Sequence, residues 1–312
     1  MLSIENPDDT IRGFVNRYCK DAHPDDYALR TLTNFAEVRQ TDTLKECLHN
    51  GMGLYYIPGS SIKGSIRTAV LSSLAKGMSL DGKIRDRSGR ITAQQIEKYF
   101  FGKDPNSDVF RFLHVGDAYF TDDCGIATRM VNLNIRHKEN LMDYSKSQIV
   151  EAIGIDHCTT FQVKIADSYY HWVKALKPDS VTALPQEMLS LDSLFILINS
   201  YTEELVSSEI DKWSEMKGYY EGAESYIENM YLILDKIKQC HKGKDCILRM
   251  GYGIGWRFIT GGWSEGLDNF EEVISAARPK NDQYSEYVFP KSRRLDEDSD
   301  VLGFVKLSIN SL

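Results

Sequence analysis

Apolar positions recur at three- and four-residue spacing over three long stretches. They predict helices at residues 61–76, 191–217 and 223–238. A shorter helix is predicted over 91–101. Residues 1–50 read as mainly helical and polar, with Leu29, Leu32, Phe35 and Val38 three apart. Short apolar runs predict strands at 54–57, 109–115, 128–135, 246–250 and 303–309. Residues 159–166 alternate apolar and polar, the pattern of a half-buried strand, and 258–262 reads as extended. Gly51 and Gly53 break the first polar run, and Gly77 falls where a helix C-cap would. A few strands alternating with helices over two halves predict an α+β fold, with two small antiparallel sheets faced by helices. Pro178 to Pro185 punctuates the chain as a domain junction, dividing 1–178 from 179–312.

Length and composition agree with that division. The chain has 312 residues, 42% hydrophobic and 26% charged, which are proportions of a soluble globular protein. No apolar run approaches the roughly 18 residues of a membrane span, and the first residues lack the pattern of a signal peptide. Six cysteines without a CxxC pair predict reduced thiols and a cytoplasmic location. Cys240 and Cys246 flank His241, but a metal site needs more ligands at tighter spacing, so no metal or cofactor is expected. The net charge of −8 excludes a protein coated in basic charge. The charge is uneven, however. Residues 60–90 carry seven Lys/Arg against two acids, and residues 201–235 carry nine acids against two lysines. A basic face on an acidic body suits a nucleic-acid groove; a solvated loop, notably 81–90, is the plainer reading.

Three segments carry candidate chemistry. In the first, a strand runs through Pro58-Gly59-Ser60-Ser61 into a helix with Lys63 in its first turn and Arg67 one turn later. Free N–H groups, two hydroxyls and a lysine at a helix start form a phosphate cradle, or else an ordinary cap with a solvated lysine. The P-loop pattern is absent, because Lys63 precedes Gly64. In the second, Gly251, Gly253 and Gly255 alternate along a loop that ends on Trp256, with Arg249 and Arg257 beside it. That composition suits single-stranded nucleic acid or a tight turn beneath a core tryptophan. In the third, Lys291, Arg293 and Arg294 precede Asp296-Glu297-Asp298, as a phosphate clamp or a self-neutralising loop. Acid/base candidates are sparse. The seven histidines are scattered, Asp117 follows a strand as a turn residue would, and His137 lies between Arg136 and Lys138.

Taken together, these segments resemble the repeat-associated mysterious proteins (RAMPs) of type III CRISPR effector complexes. The resemblance runs over about residues 54–312 and is closest to the subunits that cap the type III-A (Csm) complex. Ile57 to Ala69 resembles the family's strand-to-helix motif. Ser147 to Ile153 with Thr159-Thr160-Phe161 is similar to its middle segment, Arg249 to Trp256 to its glycine-rich loop, and Phe289 to Leu295 with Leu302 to Leu307 to its ending. The family's opening strand and Gly-containing turn are not found before residue 54. The resemblance implies two ferredoxin-like (RRM-like) modules with helical insertions. It implies a non-catalytic subunit that binds the 3′ region of the crRNA. It also implies a role in crRNA maturation and antiviral defence, with the other Csm subunits, above all the repeated backbone subunit, and nucleases as partners. The RNA-binding residues expected on this basis are Gly59, Ser60, Ser61, Lys63, Arg67, Arg249, Gly251, Gly253, Gly255, Trp256, Lys291, Arg293 and Arg294. The alternative is an RNA-processing endoribonuclease of the same family, in which His49 or His137 would serve as the acid/base group. A pure scaffold is the third reading.

Overall fold

The computed structural model describes residues 30–39, 41–79, 93–121, 123–135, 142–215, 222–259, 261–277, 290 and 292–310, with a few positions between 13 and 23. The expected loop at 81–90, the basic triplet at 136–138 and Lys291 lie outside the described residues. The fold is mixed α+β. Its central sheet is built on two long antiparallel strands, β6 (Gly125–Asn134) and β7 (Met142–Ile153). Along one edge of β6 lie β1 (Thr33–Asn34), parallel, and then β10 (Ser292–Asp296), antiparallel. The far edge of β7 takes β2 (Leu44–Lys45) in parallel. Three two-stranded pairs complete the β structure. They are β3 (Tyr56–Ile57) with β5 (Ala118–Tyr119), β4 (Leu113–Val115) with β8 (Val163–Ile165), and β9 (Asp245–Arg249) with β11 (Phe304–Ser308).

The helices follow the apolar spacing. Helix α1 (Gly59–Ala75) buries Ile62, Ile66, Ala69 and Val70, and is followed by Gly77 at φ +70°. After α2 (Ala93–Phe101) comes the 3-10 turn Val109–Phe112, where a strand was expected. Helix α3 (Asp167–Leu176) is short. Helix α4 (Leu191–Ser214) begins where the Ser190 side chain accepts the Ser193 amide at 3.1 Å, a standard N-cap. Helices α5 (Ala223–Lys238) and α6 (Phe270–Ala277) follow.

Two main cores result. One joins α1 and α2 to β4, β9 and the first half of α4. The other packs Val131, Leu133 and Leu295 of the sheet against the second half of α4 and against α5. Helix α4 crosses both cores, and β10 joins a sheet whose long strands lie before residue 178. The expected junction near 178 therefore divides the chain order but not the sheet. The helix expected around Leu32, Phe35 and Val38 is instead the strand β1 and its flanks, with Phe35 and Val38 exposed. The segment after Trp256 is a series of turns and a 3-10 helix (Gly262–Gly266), not an extended strand.

Candidate nucleic-acid interface

The start of α1 is the first candidate site. Gly59 is required there by packing: a Cβ would stand 2.2 Å from the Val115 carbonyl oxygen. Its amide donates to Asp117 Oδ1 at 2.8 Å, so the positive helix end already holds a carboxylate of the chain itself. Ser60 and Ser61 are exposed one residue on. Lys63 is half-buried, and burial pulls its ammonium pKa down. Arg67 is engaged by the protein. It donates from Nε to Glu97 at 2.8 Å, pairs through Nη1 with Asp108 at 2.9 Å, and lies over the rings of Phe101 and Phe110. It ties α1 to α2 and the 3-10 turn, so Lys63 and the serines are the outward part of this segment.

The glycine-rich loop runs from β9 across the central sheet. All three glycines have positive φ (+105°, +79° and +89°), which L side chains adopt only under strain. Gly253 approaches the sheet so closely that a Cβ would meet Met130 Sδ at 2.7 Å. The room left by this glycine is thus filled by the protein's own sheet. The loop lays Tyr252 on the sheet, 49% exposed. Its hydroxyl contacts Gln148 Oε1 of β7 at 3.1 Å. The Lys45 ammonium of β2 lies 4.4 Å from the ring centroid, and the Arg294 guanidinium of β10 lies 5.4 Å from it. An aromatic ring with two cations on a sheet surface can stack a base and neutralise its phosphates.

Other expected contacts are corrected by burial. Arg249 is only 5% exposed; it donates from Nε to the Leu302 carbonyl at 2.9 Å and lies between Phe258 and Phe304. Burial lowers its pKa. Arg293 is 4% exposed and holds both carboxylate oxygens of Glu209, at 2.6 and 2.8 Å. Arg257 shares Glu209 and also binds Glu265 and Ser208. These three arginines are buried and bound by the chain's own groups. Trp256 is half-buried: its indole packs on the backbone at Gly261 and tilts against Phe270, so it anchors the loop. Of the described residues of the third segment, Arg294 lies beside Tyr252 while Arg293 is buried. Tyr252 and Lys45 were missed from sequence. The signal for Tyr252 was available, since it is the aromatic enclosed by the glycines.

Burial alone would raise the Glu209 carboxyl, but Arg293 and Arg257 overrule it and hold it well below the usual carboxylate range. Among the described residues no group of His, Cys, Asp and Glu is arranged to hold a metal ion. His49 is held by a β-bridge to Tyr55, with Nδ1 3.2 Å from the Asn50 carbonyl.

A model of the RAMP superfamily matches residues 41–258, more than half the chain. The chain belongs to the RAMP superfamily. The matched RAMP region holds α1, the glycine-rich loop, Lys45 and Gln148, and ends before Arg294. Among RAMP relatives, the chain is 24% identical over 245 residues to the CRISPR system Cms protein Csm5 of Methanocaldococcus jannaschii. That stretch is 75% of this chain and 53% of the relative, so the chain spans about half the length of the curated relative it matches. Its fold is similar to the crystal structure of T. onnurineus Csm5, at TM-score 0.59 and 18% identity, covering 94% of this chain and 81% of that one. It is also similar to a chain of a Csm-crRNA-target RNA ternary complex of a type III-A CRISPR-Cas system, at TM-score 0.53 and 18% identity, covering 86% and 76%. At these identities the likeness is one of RAMP fold.

Proposed function

We propose that this chain is a Csm5-type subunit of a type III-A CRISPR effector complex, binding crRNA without catalysing its cleavage. In this reading it caps the crRNA 3′ region and supports crRNA maturation. Its partners are the other Csm subunits, above all the backbone subunit, together with the nucleases that trim the RNA. The observation that carries the reading is Tyr252, held out on the central sheet by three positive-φ glycines between Lys45 and Arg294. Backbone-directed RNA binding needs a stacking ring, cations and exposed backbone amides, and no acid/base pair. The RNA-facing set becomes Ser60, Ser61, Lys63, Gly251, Gly255, Tyr252, Lys45 and Arg294. Two ferredoxin-like modules fit the same picture, one around β6 and β7 and one around β9 and β11, with β10 passing from the second to the first.

Co-expression with the Csm subunits and a CRISPR array tests the proposal. The chain should co-purify with them, and guide RNA with a shortened 3′ end should appear only when it is present. Tyr252→Ala should reduce the bound RNA. A chain that purifies alone and cleaves repeat RNA would overturn this reading in favour of the endoribonuclease.

A further inference from the structure

Away from Tyr252, an open cleft of about 390 Å³ lies between α1, α2 and residues 102–111. Its walls carry Lys63, Arg67, Lys98, Lys103 and Arg111. The carboxylates in the same walls are already engaged. Glu97 and Asp108 hold Arg67, and Asp104 Oδ1 accepts the amides of Asn106 and Ser107 at 2.8 and 3.1 Å. Among the described residues, no carboxylate is ion-paired to Lys63, Lys98 or Lys103. The cleft is therefore cationic in effect, although its composition is mixed.

Arg111 links this cleft to α3. Its Nη2 donates to the Tyr169 hydroxyl at 3.2 Å, and its guanidinium lies 5.8 Å from the Tyr169 ring centroid. The Tyr169 ring stacks with Trp172 at 6.0 Å and 23°. On α3, Tyr170 and Val173 turn toward Phe112 and Val181. Tyr169, Trp172 and Leu176, spaced three and four apart, share the adjoining face, at whose edge the Tyr169 ring still lies 5.5 Å from that of Phe112. Trp172 is 59% exposed and Tyr169 44%. A tryptophan left this open beside a stacked tyrosine, whose partner Arg111 lines a cleft with three lysines paired to no described carboxylate, matches a nucleic-acid strand better than an apolar protein face. Aromatic planes take the bases and the lysines take the phosphates.

We propose that α3 and this cleft form a second single-stranded RNA surface, in which a base stacks on the Trp172–Tyr169 pair and adjoining phosphates enter the cleft. The proposal rests on the RNA-binding reading above, shares Lys63 with it, and adds a contact at α3 and Arg111. None of Arg111, Tyr169, Trp172, Lys98 and Lys103 belongs to the Tyr252 cluster.

The test uses the full chain and an unstructured oligouridylate of about 12 nucleotides. Binding is read by anisotropy and by tryptophan emission, with a melting curve for each variant. In the wild type, RNA should quench emission. Trp172→Ala should remove most of that quenching and weaken binding by about tenfold, within the range for loss of one stacked base. Trp172→Phe should bind within about twofold of wild type, since a phenyl ring still stacks. Joint Lys98→Ala and Lys103→Ala should lower the salt slope by about two. If Trp172→Ala binds as wild type does while Tyr252→Ala is weakened, this second surface is wrong and the RNA reading stands. If the wild type binds no RNA, both fall. If Trp172→Ala keeps its RNA affinity but no longer co-purifies with the Csm subunits, the face docks a protein and the proposal is overturned.

Discussion

Glu209 shows how much a single side chain can decide. It is fully buried and receives Arg293, Arg257 and the Tyr226 hydroxyl. Removing its charge would strand two guanidinium groups in the core. Glu209→Gln should therefore destabilise by about 3–5 kcal/mol at neutral pH, measured by urea unfolding. The sign with pH follows from the depressed carboxyl. Its stabilisation is fully present above the ordinary glutamate range and is lost as pH falls through that range toward the folded-state value. The gap between wild type and Glu209→Gln should narrow in acid, and a gap that stayed constant would contradict the assignment. Two neighbours on α1 separate structure from binding. Lys63→Ala should leave the melting temperature unchanged and lower the salt slope of RNA binding by about one. Arg67→Ala should do the reverse: its ion pairs and ring contacts join α1 to α2, so stability should fall by about 1 kcal/mol with an unchanged slope.

At the scale of elements, the long helices were legible, while the short helices α3 and α6 and several strands were not. Helices α1, α4 and α5 are amphipathic, and their spacing alone placed them. Strand β10, whose sequence is Ser-Arg-Arg-Leu-Asp, reads as a phosphate clamp or a self-neutralising loop, yet Arg293 is buried against Glu209 in α4, 84 residues away. A buried ion pair hides a strand from hydropathy, since either half looks like surface. Strand β7 opens on Met-Asp-Tyr-Ser-Lys and shows no clean alternation there. Strands β1 and β2 are two residues each and are held by pairing with β6 and β7 rather than by their own composition. Of the candidate site, the helix start and the glycine loop were visible. The sorting of cations into buried and outward was not, because it depends on partners distant in sequence. Gly59→Ala tests one such contact. The added methyl would press on the Val115 carbonyl, shift the start of α1 from the β4–β5 turn and cost about 1–3 kcal/mol in thermal unfolding.

At the scale of the molecule, an acidic chain can still bind a polyanion if its charge is sorted by face. The exposed acids of α4 and α5, including Glu203, Glu204, Glu224 and Glu228, lie on helices that cover one face of the sheet, while Lys45 and Arg294 meet Tyr252 on the sheet beside the glycine loop. RNA affinity should therefore fall steeply with added salt despite the net charge of −8. A flat salt response would remove the electrostatic basis of the interface. The pairing of β10 with β6 has a consequence during synthesis. Met130 of β6 leaves the ribosome long before its partner Asp296. Contacts this distant in sequence close late and slow the search for the native state. Until residues 292–296 arrive, the stretch of β6 from Met130 to Asn134 lacks its β10 partner and Arg294 is not yet beside Tyr252. A chain stalled before this point would lack Arg294 from the cation–aromatic cluster, so on the proposed reading it should bind RNA more weakly than a chain that reaches residue 296.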